Sequence, residues 1–247
     1  MPPARCFDEE RSLLIRTVPE TGSTNDDLAT LAEEGAAEGC WLRAERQTGG
    51  RGRHGRAWQS PAGNLYASTL VRLQPADPPA ATLAFVAAVA LHEVVQAYAG
   101  DTEIRIKWPN DLLAGGAKLS GILLERSRDA VIIGFGVNLA DHPRDTPRPA
   151  TSLAALGGAA ADPAGVLVDL VASFAGWLSR WRSEGFGLVR ARWLEKAHPR
   201  GTALSTTGAD GTSIDGLFDG LDDDGALRLR LADGSTHVIH AGDVFLI

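Results

Sequence analysis

The sequence predicts an α+β protein: a mixed, mainly antiparallel sheet with helices packed on one face, then a small all-β module. Three observations predict it. Strand-like runs between Glu103 and Leu139 follow one another through tight turns, which favours antiparallel neighbours. Long segments with apolar residues at helical spacing alternate with them. Past Pro199 the texture changes to short β-like runs separated by "GADG", "DDDG" and "ADG", which are hairpin signals. We therefore divide the chain into residues 1–198 and 199–247.

Each element has its own warrant. "TGSTNDDLATLAEEG" opens on a capping-box pattern, Ser23-x-x-Asp26, continues with Leu28 and Leu31 at helical spacing, and stops at Gly35. "CWLRAE" reads as a strand entering a glycine-rich run, and Asn64 to Leu73 alternates well enough for another. Thr82 to Ala99 is a helical segment rich in Ala, Val and Leu, closed by Gly100. "EIRIKWPND" is a strand that Pro109 must end or push to an edge. Gly115-Gly116 turns the chain into a second strand, and "DAVIIGFGVNL" is a third with apolar residues on both faces. Asp141 to Ala150 is a proline- and charge-rich loop. Asp162-Pro163 starts an amphipathic helix with a stripe of Leu167, Leu170, Val171, Phe174, Trp177, Leu178 and Trp181. "FGLVRARWLEKA" is a further helix.

Composition narrows the function. With 44% hydrophobic and 22% charged residues, the 247-residue chain is of ordinary globular type. A formal charge of −7 argues against holding DNA by a general electrostatic field. Cys6 and Cys40 make no Cys-x-x-Cys pair, and the histidines include no His-x-x-x-His, so we expect no disulfide framework and no metal site built of protein ligands. The N-terminus has no signal-like apolar core, and the apolar run near Leu83 to Leu91 is too short to span a bilayer. The expectation is a soluble cytoplasmic protein with no membrane partner.

Against that acidic background, "QTGGRGRHGRAW" (Gln47 to Trp58) packs four glycines, three arginines and a histidine into one run. As an RNA-binding segment it lacks repeats and interleaved aromatics. As a Walker loop it lacks the closing Gly-Lys-Ser/Thr. As an inert ordered loop it would lose much backbone entropy. The reading that suits the residue chemistry is a loop that stays mobile until an anion arrives, with free N–H groups and guanidinium forks to bind it.

"GSTN" (Gly22 to Asn25), "GRGRHGRAW" (Gly50 to Trp58), "KWPND" (Lys107 to Asp111), "KLSGILLE" (Lys118 to Glu125) and "GFGVN" (Gly134 to Asn138) occur in that order, with "TSL" at Thr151 to Leu153. Together they resemble the signature set of the biotin protein ligases, from about residue 16 to the C-terminus. The resemblance implies a class II synthetase-like biotin/lipoate ligase fold with an SH3-like C-terminal barrel. It also implies the ligase-only form, with no room for a helix-turn-helix domain before the motifs. The activity implied is formation of biotinyl-5′-AMP from biotin and ATP with Mg²⁺, then transfer to a lysine of a biotin carboxyl carrier protein.

Since a carboxylate is already ionised at pH 7, the difficulty of the first step is repulsion and alignment, which cations and preorganised donors relieve. By resemblance, Arg53 and Lys118 lie near the biotin carboxylate and α-phosphate and, with Asp111, form the catalytic set. Asp111 is expected to take the proton of the incoming lysine. Ser23, Thr24, Asn25 and Gln47 hold the ureido end of biotin; Gly50, Arg51, Gly121 and Ile122 complete its site, with Gly121 leaving room for it. ATP falls to Arg53, Arg56, Trp58, Lys107, Asn110, Asp111, Lys118 and Asn138, with Trp58 stacking on adenine. Asp141 to Ala150 resembles the loop that covers the adenylate. Trp177 and Trp181 are expected in the core. The rivals are a lipoate–protein ligase of the same fold, an RNA-binding module using the Gly/Arg loop, and an inactive relative used for binding. A homodimer through a sheet edge is compatible with the pattern.

Overall fold

The computed structural model describes residues 15–159, 161–207 and 212–247; Cys6 and the N-terminal stretch read for a signal peptide lie outside them. The larger sheet contains β1 (Ile15–Thr21), β2 (Trp41–Gln47), β3 (Leu65–Arg72), β4 (Ile104–Lys107), β5 (Asp111–Ala114), β6 (Ala117–Ser127) and β7 (Ala130–Val137). Their order is β1-β2-β3-β7-β6-β5-β4. Only β1 and β2 pair in parallel, joined through α1 (Thr24–Glu33); every other pair is antiparallel. Tight turns at Gly115-Gly116 and Arg128-Asp129 explain this, because short connections can only reverse direction.

The helices do not share one face. α2 (Leu83–Tyr98), α3 (Pro163–Glu184) and α4 (Phe186–Lys196) pack in the large core, whereas α1 lies on the opposite side of the sheet. Successive residues of a strand point to opposite faces, so Trp41 and Val71 enter the large core while Leu42 and Leu70 meet Leu28 and Ala32 of α1. With both faces covered, Leu65–Val71 is buried throughout and the alternation expected there is lost.

α3 begins as its sequence predicts: Asp162 accepts from the Gly165 N–H at 3.1 Å, Pro163 follows, and the stripe from Leu167 to Trp181 is buried. α2 corrects the reading of its apolar run. The helical stretch Ala80–Tyr98 is long and apolar enough to cross a membrane, with mean hydropathy 1.6, and two thirds of it is buried within this fold. It is apolar nearly all round because it lies between the sheet and α3 and α4.

The second sheet holds β8 (Ala203–Thr207), β9 (Ser213–Leu221), β10 (Leu227–Arg230), β11 (Thr236–Ile239) and β12 (Asp243–Leu246), in the order β11-β10-β9-β8-β12 and antiparallel throughout. Leu204, Phe218, Leu227, Leu229 and Val244 bury their side chains in the same core as α2 and α4. Trp108 Nε1 donates to the Gly225 carbonyl at 3.1 Å, tying the two sheets together. That docking brings β12 beside the strands that carry the sequence motifs.

Candidate functional site

A cavity of about 500 Å³ opens where the loop after β2, the ends of β4 to β7, residues 143–150 and β12 meet. Ser23, Thr24, Asn25, Gln47, Arg51, Arg53, Arg56, Trp58, Lys107, Asn110, Asp111, Lys118, Gly121, Ile122 and Asn138 all line it. Gly50 does not. A methyl group there would stand 2.8 Å from Ser60 Oγ and 2.9 Å from the Trp58 carbonyl oxygen, so Gly50 is the point of close packing beneath the loop.

The glycine–arginine run folds back on itself. Arg51 bridges to Ala57, and Arg53–Gly55 forms a single 3-10 turn with His54 at φ +57° and Gly55 at +70°. Its arginines are held by carboxylates from α1, β6 and β12. Arg51 pairs with Asp26 and, at 3.0 Å, with Glu125. The hydrogen bond from Arg51 holds the Asp26 carboxyl below the usual carboxylate range, and the same bond raises the guanidinium further above its own. Half of the expected capping box therefore forms: Ser23 Oγ accepts from the Asp26 N–H at 3.4 Å, while the Asp26 side chain turns to Arg51. Arg53 donates to the Gly242 carbonyl at 3.0 Å, and Arg56 pairs with Asp243.

Uncharged polar groups meet at the start of α1. Gln47 Oε1 accepts from the Thr24 N–H at 2.8 Å, and Gln47 Nε2 donates to Ser60 Oγ at 3.3 Å. Thr24 Oγ1 lies 2.7 Å from Ser68 Oγ, which donates to Asn25 Oδ1 at 2.6 Å. Ser23, Thr24 and Asn25 are buried, so the helix terminus presents this network to the cavity.

Across the cavity, "KWPND" and "KLSG" converge on one carboxylate. Asp111 stands 2.6 Å from Lys118 Nζ and 3.0 Å from Lys107 Nζ. Burial pushes the Asp111 carboxyl up, but the two ammonium groups outweigh it and hold it below its ordinary value. Burial lowers Lys107 despite Asp111, and Lys107 also donates to the Val244 carbonyl at 2.9 Å. Asn110 donates to the Ile122 carbonyl, which leaves its Oδ1 as the acceptor end of the amide.

The floor is made of glycines. Gly121 of β6 pairs with Gly136 of β7, and the Trp58 indole lies over both: a methyl at Gly136 would come within 2.6 Å of the ring. The space expected for biotin at Gly121 thus holds Trp58 here. Trp58 Nε1 is buried with no hydrogen-bond partner among the described residues, a donor aimed into the cavity wall. Asn138 donates to the Thr151 carbonyl at 3.0 Å, so its amide holds the end of the 141–150 loop.

Sequence reasoning missed several residues. Asn64 Oδ1 accepts from the N–H groups of Leu139, Ala140 and Asp141, which fixes the start of that loop. Lys118 fixes its end through backbone bonds to Pro149 and Thr151, at 2.8 and 2.9 Å. Arg148 places its guanidinium 3.4 Å from the centre of the Phe245 ring. Asp243, Val244 and Phe245 reach the cavity only through the docking of the second sheet, and no local pattern marks them. Among the described residues, no three of His, Cys, Asp and Glu gather as metal ligands.

This chain is similar to known proteins. Residues 21–138 match the biotin/lipoate A/B protein ligase family, and residues 206–247 match the biotin protein ligase C-terminal domain. A biotin–[acetyl-CoA-carboxylase] ligase of Paracoccus denitrificans is 39% identical over 91% of this chain and 97% of its own. One of Mycobacterium tuberculosis is 36% identical over 93% of this chain and 88% of its own. The structure of the Aquifex aeolicus biotin protein ligase in complex with biotin and ATP is similar, with a TM-score of 0.84, 26% identity, and 94% of this chain and 99% of that one covered. With 39% identity across nearly the whole of a relative, this chain belongs to the biotin protein ligase family.

Proposed function

We propose that the cavity carries out both halves of biotin ligation, with the residues above dividing the work. The chain is an ATP-dependent ligase of biotin; the roles of its side chains, the metal and the acceptor are the proposal. One observation carries it: a single cavity joins an uncharged polar network at Thr24, Asn25 and Gln47 to a cationic wall of Arg51, Arg53, Arg56, Lys107 and Lys118. Biotin has that polarity, a neutral ureido ring at one end and a carboxylate at the other.

In the first half, a biotin carboxylate oxygen bonds to the α-phosphorus of ATP as the bond to the pyrophosphate oxygen breaks. Arg53 and Lys118 draw the two anions together and stabilise the charge on the phosphorus oxygens. Arg56 meets the departing phosphates, and Asp243 keeps it and Arg53 ordered until they do. Trp58 offers its ring face to adenine. Mg²⁺ would be carried mostly by the ATP phosphate oxygens, whose charge it would offset; Asn110, whose amide oxygen is left as an acceptor, would be a protein ligand to it.

In the second half, the neutral acceptor lysine Nζ bonds to the acyl carbon, AMP leaves with the electron pair of the broken C–O bond, and the proton lost by the amine passes to the departing phosphate. A carboxylate whose pKa is lowered is a poor base. We therefore assign Asp111 to ordering Lys107 and Lys118 rather than to taking that proton. The 141–150 loop, pinned at Asn64 and Lys118, closes over the mixed anhydride and excludes water.

The acceptor is the carrier domain of a biotin-dependent carboxylase, and we divide the chain near residue 199 into a catalytic and a C-terminal unit, a reading supported by separate family matches at 21–138 and 206–247. We place the enzyme in the cytoplasm. A homodimer would form across β1 or β4, the edges of the larger sheet. The test is intact-mass measurement of a carrier domain after incubation with enzyme, ATP, Mg²⁺ and either biotin or lipoate. A biotinyl mass gain, absent when the carrier lysine is changed to arginine, is the expected result. A lipoyl gain instead would overturn the substrate.

A further inference from the structure

Glu125, on β6, touches both the polar network, through Asn25, and the glycine–arginine loop, through Arg51. Its Oε2 accepts from Asn25 Nδ2 at 2.7 Å, and its Oε1 accepts from Arg51 at 3.0 and 3.3 Å. Its side chain is 35% exposed, so no packing need of the core explains a carboxylate there.

A carboxylate can only accept, and that fixes every bond downstream. Asn25 must turn its NH₂ to Glu125, so its Oδ1 faces Ser68 and takes the single Ser68 hydrogen at 2.6 Å. The Ser68 and Thr24 oxygens are 2.7 Å apart and need a hydrogen between them. Thr24 supplies it, because Ser68 has none left. Gln47 Oε1, at 3.1 Å, is the more distant claimant on that hydrogen and is already satisfied by the Thr24 N–H at 2.8 Å. Thr24 Oγ1 is left with lone pairs only, an acceptor at the cavity wall. Gly134 makes the geometry possible: a methyl there would lie 2.3 Å from Asn25 Oδ1.

We infer that Glu125 is a positioning residue for biotin: it sets the direction of the Asn25–Ser68–Thr24 hydrogen bonds, and ties that setting to Arg51 of the loop. The inference rests on the functional reading above. An acceptor at Thr24 suits a ureido N–H, and a donor there would repel it. Glutamine at 125 has nearly the same shape but can donate as well as accept, so Asn25 is free to turn over and the polarity of the chain is lost.

The experiment measures biotinyl-AMP formation by pyrophosphate release in four proteins: wild type, Glu125→Gln, Asn25→Ala and the double variant. Biotin and ATP are titrated separately, and thermal midpoints are recorded. Glu125→Gln is expected to raise the biotin KM about tenfold, the scale of one misdirected buried hydrogen bond. Its kcat and ATP KM stay within about twofold and its thermal midpoint is unchanged. The double variant is expected to be no worse than Asn25→Ala alone, since Glu125 acts through Asn25. An unchanged biotin KM in Glu125→Gln, equal losses for biotin and ATP, or losses that multiply in the double variant would each overturn the inference. Wild-type enzyme that makes no biotinyl-AMP would overturn the functional reading itself, and that control tells the two failures apart.

Discussion

Asp111 is where burial and charge compete most directly. Its side chain is 10% exposed, and it persists as a carboxylate because Lys107 and Lys118 flank it within 3.0 Å. Removing it would leave two cations facing each other, one of them buried. Asp111→Ala should therefore destabilise the protein by about 3 kcal/mol, measured as a fall in the urea midpoint. Glu125 and Asp26, by contrast, are partly exposed and hold Arg51 of the cavity wall, so they should matter to ligands more than to folding. The pH dependence follows from the same geometry. The folded-state pKa of Asp111 lies below its unfolded value, so its contribution is present above about pH 4. It is lost as pH falls further, because the unfolded chain takes up the proton first. Between pH 5 and pH 2 the urea midpoint of the wild type should fall more steeply than that of Asp111→Asn.

At the scale of elements, β6 and β7 owe their role to what they lack. Gly121 and Gly136 face each other across the pair and leave a flat floor on which the Trp58 indole rests. Gly136→Ala would drive a methyl into that ring, which must then move. We expect the ATP KM to rise about tenfold, the low end of what base–aromatic stacking contributes, while the fold persists because Trp58 is partly exposed. Steady-state kinetics with ATP varied checks this, and an unchanged KM would remove Trp58 from the adenine site. These elements were partly legible in advance. The caps at Ser23 and Asp162, the stripe of α3 and the turn at Gly115-Gly116 are local features, and local patterns predict them. The placement of α1 was not legible, because a strand apolar on both faces does not say which helix covers which side. Nor were Asn64 and Glu125, whose partners lie 75 and 100 residues away in the chain.

For the whole molecule, the docking of the second sheet decides both stability and site. Phe218, Leu227, Leu229 and Val244 share one core with α2 and α4, and β12 delivers Asp243 to Arg53 and Arg56. A shared core should melt as a unit, so unfolding followed by tryptophan fluorescence and by far-ultraviolet circular dichroism should give one coincident transition. Two separated transitions would show that the sheets are independently stable. The sequence motifs marked Arg51, Arg53, Arg56, Lys107 and Lys118 of the cavity, but not Arg148, which lies in a loop without a pattern. They could not mark Asp243, which stands in an ordinary strand some 190 residues from the arginines it holds.

The central claim is that this cavity forms biotinyl-5′-AMP through Lys118. The most direct test is mass spectrometry of purified enzyme incubated with biotin, ATP and Mg²⁺ without any acceptor protein, for the wild type and Lys118→Ala. The wild type is expected to form biotinyl-AMP, and the variant to form it at a rate lower by about 10²–10³, in line with the loss of one charge-stabilising donor. Equal rates from the two proteins, or no adenylate from the wild type, would contradict that claim.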